Sequence, residues 1–249
     1  MSRKELFGLV GYLLGHSFSE SFFNNKFNSE GIDAQYLNFE IPNINEFRNI
    51  INTNTNLRGL NVTIPYKEQV IPYLDDIDIT ASEIGAVNVV KFIRNGNNLI
   101  LKGFNSDVIG FCNSLKPLLK PHHTHALVLG TGGAAKAIAH GLKSLGIEPI
   151  YVSRTKKDGV LTYNELTPGI IEKYQVIVNT TPAGMYPHVD TCPDIPYHLL
   201  TPQHLCYDVV YNPEVTLFMK KSQEQGAMVK NGLEMLILQA LAAWEIWNS

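Results

Sequence analysis

The first third of the chain alternates short apolar runs with stretches that have a helical pattern. Alternation at this spacing is typical of βαβ units and predicts a largely parallel sheet. The apolar runs predict strands at 6–12, 35–41 and 57–64, and the stretches between them predict helices at 19–29 and 44–52.

A hairpin and a helix follow this region. The dipeptide Asn95-Gly96 lies between two apolar runs, 88–94 and 98–104, and is a strong signal for a tight turn between antiparallel strands. Residues 107–119 then predict a helix. Its buried face is expected to carry Ile109, Cys112, Leu115 and Leu119.

A second α/β unit is predicted from His125 onward. Residues 126–129 are fully apolar, as expected for a strand covered on both faces. A glycine-rich loop and an alanine-rich helix to Leu145 come next. Further strands are predicted at 149–153, 176–179 and 205–210, a proline-rich loop at 181–202, and a closing helix at 233–247.

Charge and cysteine content narrow the class of protein. The 249 residues carry 20 basic and 23 acidic side chains, a net charge of −3, which argues against a nucleic-acid partner. The three cysteines are far apart, which favours a reducing compartment, so we expect a cytoplasmic protein. The longest apolar helical run, 235–244, is well short of the roughly 20 residues that span a bilayer. No carboxylate or cysteine accompanies the histidine cluster His122, His123 and His125, and no metal site is expected.

The glycine loop indicates a dinucleotide site. Gly130-Thr131-Gly132-Gly133-Ala134 lies between a predicted strand and a predicted helix, where backbone N–H groups and the helix dipole favour a diphosphate. NAD-binding chains place a carboxylate at the end of the next strand, but this chain has Ser153-Arg154-Thr155-Lys156-Lys157. A guanidinium matches a 2′-phosphate, so the sequence favours NADP. The alternatives are a plain tight turn and a solvated basic turn.

Polar clusters occur where the strands of the first region end. They lie at 15–19, 61–67, 85–88 and 103–107. Ligands collect at the carboxyl ends of strands in open α/β sheets, and these groups together suit a small polyhydroxylated acid. Taken singly, each residue is better explained by a structural role: Ser19 by helix capping, Asn88 by a turn, Lys67 by solvation and Asp107 by a helix start.

These segments together resemble the shikimate dehydrogenases, NADP-dependent enzymes of aromatic amino acid biosynthesis. The family pattern G-x-x-x-x-H-S-x-S-P resembles 11–20, N-V-T-x-P-x-K matches 61–67, G-A-V-N matches 85–88 and G-x-N-T-D resembles 103–107. Segments 179–185, 208–213 and 232–240 resemble further family signatures. The resemblance extends in order from residue 11 to residue 240.

The resemblance implies reversible reduction of 3-dehydroshikimate to shikimate by NADPH, in the chorismate pathway. Lys67 is implied as the acid–base residue, and we expect it to pair with Asp107. The implied substrate contacts are Ser17 and Ser19 to the carboxylate, Thr63, Asn88 and Asp107 to ring hydroxyls, and Tyr211 and Gln239 to complete the pocket. The implied cofactor contacts are Gly130, Thr131, Gly132, Gly133, Ala134, Ser153, Arg154, Thr155, Lys156, Lys157, Val209 and Gly232.

The sequence around Gln239 independently indicates that its side-chain amide binds a partner. It is the only polar residue in the run 235–244 and lies off the apolar helical face. An amide in such surroundings should find a partner, because leaving it unpaired costs about 1–3 kcal/mol. The face itself is expected to comprise Leu233, Leu236, Ile237, Ala240, Leu241 and Trp244.

The sequence departs from the family pattern at four positions. Glu20 stands in place of proline, Ser106 in place of threonine, Thr131 in place of alanine and Ser153 in place of asparagine. None of these changes removes a group that the reaction requires. They bear on affinity rather than on reaction type.

The expected architecture is α/β with two domains. A mainly parallel substrate domain spans 1–105 and is completed by the C-terminal helix at 232–249, and a Rossmann-type NADP domain spans 106–231, with the active site between them. A monomer or a homodimer is compatible with this architecture. The competing interpretations are a quinate/shikimate dehydrogenase, a non-catalytic NADP-responsive protein and a folate-linked methylene dehydrogenase.

Overall fold

The computed structural model describes residues 4–15, 17–96 and 98–249. The chain forms two compact units. One comprises Met1–Ser106 with Ala240–Ser249, and the other comprises Asp107–Gln239. Each unit contains one sheet with helices packed on it.

The first unit is built on a mixed sheet with the strand order β2-β1-β3-β5-β6-β4. β1 lies parallel to both β2 and β3, whereas β5 runs antiparallel to β3 and to β6. The elements are β1 (Glu5–Gly11), α1 (Phe18–Glu30), β2 (Ala34–Glu40), α2 (Phe47–Thr53), β3 (Leu57–Val62), β4 (Asp76–Ile77), α3 (Ile79–Ile84), β5 (Val89–Asn95) and β6 (Asn98–Phe104).

The second unit is built on a parallel sheet with the order β12-β11-β10-β7-β8-β9. The elements are α4 (Asp107–Leu115), β7 (His125–Leu129), α5 (Gly133–Ser144), β8 (Glu148–Ser153), β9 (Val160–Thr162), α6 (Pro168–Lys173), β10 (Val176–Asn179), β11 (Leu205–Asp208), α7 (Leu217–Gln223), β12 (Met228–Lys230) and α8 (Leu233–Asn248). The predicted two-part α/β fold with a Rossmann-type sheet is confirmed.

The hairpin prediction is also confirmed. Asn95 pairs with Asn98 across the turn, and Gly96 has a φ of 61°, a left-handed conformation that glycine adopts without strain. The strand predicted at 57–64 is too long, because β3 ends at Val62. Short elements were missed by the sequence pattern, namely β4, α3, β9, α6, α7 and β12.

The face predicted for the helix at 107–119 is wrong in part. α4 ends at Leu115 and continues as a short 3-10 turn, and Ile109 is 41% exposed. The apolar side chains that α4 buries are Val108, Phe111 and Leu115. Leu115 is buried as predicted, but in the first two turns the buried positions are 108 and 111 rather than 109 and 112.

α8 contributes residues to both units, since residues 233–239 belong to the second and 240–248 to the first. In the first unit, Ala240, Ala243 and Trp247 pack with Phe7 and other core residues. The predicted face of this helix is wrong at Leu233 and Leu241, which are exposed. Within the described residues, none of the helices combines the length and the apolar composition that crossing a membrane demands.

Trp247 fixes the position of α8 on the first sheet. Its indole Nε1 donates to the Val90 carbonyl at 3.2 Å. Its ring lies against Gly59 of β3, in the space that any larger side chain at that position would occupy. The glycine is thus required by the close approach of the ring to the strand.

Candidate active site

The strand ends of the first unit converge at one edge of the sheet. Val10 of β1 is in register with Val62 of β3, and Val89 of β5 lies opposite Asn61 of β3. The loops after β1, β3 and β6 and the loop before β5 therefore leave the sheet at the same edge. These loops carry Ser17, Thr63, Lys67 and Asn88, and α1, which follows the β1 loop, carries Ser19.

Ser17 and Ser19 lie at the N-terminus of α1. Ser17 is the N-cap residue, and its hydroxyl oxygen accepts from the Glu20 amide at 3.4 Å. Because the oxygen is used as an acceptor, the hydroxyl hydrogen of Ser17 is the part that a carboxylate would bind. The N-terminus of a helix also favours an anion through its N–H groups and its dipole. His16, which precedes this pair, lies outside the described residues.

A buried polar network connects the serine end of this edge to Asn88. Tyr36 is fully buried, and its hydroxyl donates to Asn61 Oδ1 at 2.7 Å. Asn61 Nδ2 donates to the Asn88 carbonyl at 3.3 Å. Burial raises the pKa of Tyr36 well above its ordinary value, and a hydrogen bond with Ser19 opposes that shift. Tyr36 was missed by sequence reasoning, because a tyrosine inside a strand gives no local signal for a polar role.

Asn88 is held by Ser106. Its Oδ1 accepts from the Ser106 amide at 2.7 Å, and its Nδ2 donates to Ser106 Oγ at 3.0 Å. Both residues are buried. The serine hydroxyl therefore keeps the polar function at this position of the family pattern.

Lys67 follows β3 in a tight turn with a fixed backbone. The Tyr66 amide donates to the Thr63 carbonyl at 2.9 Å, and the Val87 amide donates to the Lys67 carbonyl at 2.8 Å. Tyr66 is buried, and its hydroxyl donates to the Ile41 carbonyl at 2.6 Å. The Lys67 side chain is half-buried. The fold thus places Lys67 in a loop at the edge that carries Ser17, Thr63 and Asn88.

The other three predicted substrate residues, Asp107, Tyr211 and Gln239, belong to the second unit. Asp107 is the first residue of α4 and is buried, Tyr211 follows β11 and is partly exposed, and Gln239 is half-buried on α8. Gln239 Nε2 donates to the Leu236 carbonyl at 2.9 Å.

Gly110 brings α4 and α8 into backbone contact, one helical turn after Asp107. A Cβ atom at this position would lie 2.6 Å from the Met235 carbonyl oxygen and 2.9 Å from the Gln239 nitrogen. Such distances are shorter than any ordinary van der Waals contact. Only glycine therefore permits this crossing, which places the helix of Asp107 against the helix of Gln239.

The glycine loop in the second unit has the geometry that a diphosphate needs. Gly130 has a φ of 115°, and a Cβ there would lie 2.6 Å from Thr180 Oγ1. Gly132 is the N-cap of α5, a helix of 12 residues, and a Cβ there would meet nothing within 4 Å. The backbone at the helix start is therefore open to a ligand. Thr131, Gly133 and Ala134 complete this loop, and they suit a bound dinucleotide.

The basic turn after β8 is exposed from Arg154 to Lys157. Ser153, at the end of β8, accepts from the Thr155 amide at 3.3 Å. The strand end where NAD-binding chains have a carboxylate therefore carries a serine hydroxyl in this chain. Lys156 is already paired with Glu165, whose pKa is lowered to about 2 by that hydrogen bond and by bonds from Thr162. Of the basic side chains, Arg154 and Lys157 are therefore better placed than Lys156 to meet a 2′-phosphate.

Asp208 is a buried carboxylate that sequence reasoning left without a role. Its Oδ1 accepts from the Val210 amide at 3.0 Å and from Asn179 Nδ2 at 3.0 Å, and its Oδ2 accepts from Thr216 Oγ1 at 2.6 Å. Burial raises its pKa to about 6, against the lowering effect of these donors. Asn179 also accepts from the amide and the hydroxyl of Thr181.

Asp208 thereby fixes the loops that follow β10 and β11. Val209, which was predicted to line the nicotinamide, is the next residue, and its amide donates to the Asn179 carbonyl at 3.0 Å. Gly232 lies so close to the Val209 carbonyl that a side chain there would collide with it. The structure therefore brings Val209 and Gly232 together in the second unit.

Comparison with known proteins places this arrangement in a family. A family model described as the shikimate dehydrogenase substrate binding domain matches residues 9–90. A relative from Aquifex aeolicus, named shikimate dehydrogenase (NADP(+)), is 38% identical over 258 residues, with 99% of this chain and 92% of the relative covered.

Solved structures give the same result. The crystal structure of shikimate 5-dehydrogenase from Thermus thermophilus, in complex with NADP(H) and shikimate, is 29% identical with a TM-score of 0.85, covering 98% of this chain and 93% of that one. Quinate dehydrogenase from Corynebacterium glutamicum, in complex with NAD, is 25% identical with a TM-score of 0.85 and the same coverage. The extent of these matches, over nearly the whole of both chains, shows that this chain belongs to the shikimate dehydrogenase family.

Proposed function

We propose that the protein is an NADP-dependent oxidoreductase that interconverts 3-dehydroshikimate and shikimate, a step in the biosynthesis of aromatic amino acids. The observation that carries the proposal is the convergence of two serine hydroxyls, one ammonium and two carboxamides at a single edge of the first sheet. Ser17, Ser19, Lys67, Asn61 and Asn88 supply these groups. The family assignment supports the same reaction.

The residues of the second unit fit an NADP cofactor. The open start of α5 at Gly132 suits the diphosphate, and the exposed turn with Arg154 suits the 2′-phosphate. When bound, the reduced nicotinamide supplies the hydride that reduces the ketone. Val209 and Gly232 are proposed to form the backbone surface against which the nicotinamide ring lies.

Lys67 and Asp107 are proposed as the acid–base pair. Hydride addition to a ketone carbon builds negative charge on its oxygen, which must receive a proton. The Lys67 ammonium donates that proton and stabilises the developing charge, while the Asp107 carboxylate orients the ammonium. In the reverse direction, neutral Lys67 accepts the proton from the hydroxyl that is being oxidised.

The remaining contacts hold the substrate in place. Ser17 and Ser19 are proposed to donate to its carboxylate at the start of α1. Thr63 and Asn88 are proposed to bind ring hydroxyls, and Tyr211 and Gln239 to complete the pocket. Since Ser106 fixes the Asn88 amide, the donor and acceptor atoms of that side chain have defined directions before substrate arrives.

The decisive experiment is spectrophotometric. Purified protein is mixed with shikimate and either NADP or NAD, and the absorbance of the reduced nicotinamide is followed. Reduction that depends on shikimate and prefers NADP is expected. Absence of reduction with either cofactor would contradict the proposal and favour a non-catalytic NADP-binding protein.

A second candidate is a quinate dehydrogenase, favoured by the likeness to the Corynebacterium glutamicum structure. The basic turn at Arg154 argues against an NAD-preferring form of that activity. Replacing shikimate by quinate in the same assay, with both cofactors, separates the two. Faster turnover of quinate with NAD would favour the alternative.

The cellular setting is also a proposal. The three cysteines are free thiols at separate places, as suits a reducing cytoplasm, and the net charge of −3 does not favour nucleic acid. We infer a cytoplasmic enzyme that acts on a small molecule as a monomer or a homodimer.

A further inference from the structure

The start of α1 has the sequence of a capping box that is only half formed. In this motif the N-cap hydroxyl accepts from the amide three residues on, and the glutamate at that third position bonds back to the N-cap amide. Ser17 and Glu20 have the required types and spacing, and the Glu20 amide does bond to Ser17 Oγ. The Glu20 carboxylate, however, is turned toward β2, where its Oε2 accepts from Asn38 Nδ2 at 2.6 Å.

A completed capping box elsewhere in the chain shows the alternative. At the short turn after β9, Glu165 Oε2 accepts from the Thr162 amide at 2.6 Å and from the Thr162 hydroxyl at 2.9 Å. The two sequences, Ser17-Phe18-Ser19-Glu20 and Thr162-Tyr163-Asn164-Glu165, share the same pattern. At the first site the glutamate accepts from Asn38, whereas at the second site it accepts from Lys156 as well as from Thr162.

We propose that Asn38 is a positioning residue that holds the Glu20 carboxylate away from the start of α1, so that the substrate carboxylate can bind there. This inference rests on the proposed function, in which Ser17 and Ser19 receive that carboxylate. A closed capping box would take up the Ser17 hydroxyl that is proposed to bind the substrate carboxylate, as Glu165 takes up the Thr162 hydroxyl. When Asn38 no longer holds it, the Glu20 carboxylate closes the capping box and competes with the substrate carboxylate for the start of α1.

The surroundings of Asn38 agree with a dedicated role. Within the described part of the chain, Asn38 Oδ1 is buried without a hydrogen-bond partner, although an unsatisfied buried acceptor is costly. The side chain therefore keeps an orientation in which its Nδ2 donates to the Glu20 carboxylate. The charge of Glu20 reaches the Tyr36 hydroxyl, so the carboxylate stays close to the serine end of the network.

The chain offers a matched control in Asn24. This residue also ties α1 to β2, since its Nδ2 donates to the Tyr36 carbonyl at 2.9 Å and its Oδ1 accepts from the Tyr36 amide at 3.0 Å. It lies one turn further along the helix than Glu20. Asn24→Ala therefore loosens the same pair of elements without releasing the carboxylate.

The test is a set of steady-state measurements on Asn38→Ala, Glu20→Gln, the double variant and Asn24→Ala, each with shikimate and with its methyl ester. Asn38→Ala is expected to raise the KM for shikimate at least threefold, with kcat and the KM for NADP retained. The double variant is expected to return the KM to that of Glu20→Gln alone, since glutamine at position 20 is not an anion. The methyl ester, which has no carboxylate, is expected to respond less to Asn38→Ala.

Several outcomes overturn the proposal. An unchanged KM in Asn38→Ala does so, and so does a double variant whose KM stays as high as that of Asn38→Ala. A selective rise in the shikimate KM of Asn24→Ala equal to that of Asn38→Ala assigns the effect to loosened packing instead. A wild-type protein that does not oxidise shikimate overturns the proposed function itself, which is a separate result.

Discussion

Asn179 and Asp208 occupy paired positions at the ends of adjacent parallel strands, and Asn179 Nδ2 donates to Asp208 Oδ1 across 3.0 Å. The pair joins two loops that the proposed cofactor site requires in a fixed relation. Because Asp208 has no exposed surface, its charge is stabilised by these donors rather than by water. The cost of that burial appears in its pKa, which is raised to about 6.

Asp208→Asn is expected to change how stability depends on pH. The ordinary pKa of an aspartate is 3.8, and in the folded protein that of Asp208 is about 6. Between roughly pH 4 and pH 6 the folded state binds more protons at this site than the unfolded state, so the free energy of unfolding falls as pH rises, by about 3 kcal/mol in total. The variant lacks this contribution.

Urea denaturation of both proteins over that pH range tests the prediction. The difference between wild type and Asp208→Asn should vary with pH across the window and be constant above it. Two parallel curves would contradict the raised pKa, whatever the absolute stability of the variant.

Lys67→Ala is expected to lower kcat by about 10²- to 10⁴-fold, the contribution typical of a positioned proton donor. The KM for NADP should change little, because the proposed cofactor contacts lie in the second unit. Stopped-flow or steady-state oxidation of shikimate measures the effect. Lys102→Ala is the control, since that lysine pairs with Asp76 on the first unit, 2.7 Å away. A Lys67→Ala protein with most of its turnover intact rules out the catalytic role.

Gln239→Ala is expected to raise the KM for shikimate by roughly 5- to 30-fold, the equivalent of one hydrogen bond of about 1–2 kcal/mol. The KM for NADP should remain nearly constant. Asn248→Ala on the same helix is a suitable control, because Asn248 Nδ2 bonds back to the Trp244 carbonyl at 2.7 Å, much as Gln239 bonds to Leu236. The reverse selectivity, with NADP affected and shikimate not, would refute the assignment.

Arg154→Ala is expected to raise the KM for NADP by roughly 10- to 100-fold and to leave the KM for NAD unchanged. Charge-assisted hydrogen bonds contribute about 1.5–3 kcal/mol, and only NADP carries the 2′-phosphate. Lys156→Ala should have a smaller effect because Glu165 already holds that ammonium. Equal losses with both cofactors in Arg154→Ala would place the guanidinium away from the 2′-phosphate.

Gly110→Ala is expected to weaken shikimate binding and to lower stability by about 1–3 kcal/mol, as overpacking does. The new methyl group would meet the backbone of α8, which cannot move as a side chain can. Gly141→Ala is the matched control, since the three atoms nearest to a Cβ there belong to the side chains of Cys112, Phe111 and Val108. Gly141→Ala should lower the free energy of unfolding without raising the KM for shikimate. Identical kinetics in the two variants would remove the link between the helix crossing and the substrate.

The sequence was informative where a signal is local and repeated. The hairpin at Asn95-Gly96, the strand at 176–179 and the long helices follow from periodicity and turn chemistry, which need no knowledge of distant residues. The short elements β4, β9 and β12 hold two or three residues each, too few to establish a period.

The buried polar networks could not be predicted from the sequence for a different reason. Tyr36 and Asn61 are 25 residues apart, and Asn179 and Asp208 are 29 apart, so the bonds between them exist only once strands have taken their order in the sheet. Glu20 shows the same limit at short range. Its spacing from Ser17 predicts a capping box, but in the folded protein its carboxylate accepts from Asn38 on the next strand.

The seating of Trp247 on Gly59 affects the order in which the protein assembles on the ribosome. β3 emerges early, yet its glycine stays uncovered until residue 247 has been translated and has left the exit tunnel. The core of the second unit also draws on this helix, through Met235. Because the ring that covers Gly59 lies 188 residues further along the chain, the first unit cannot complete its core from its N-terminal segment alone.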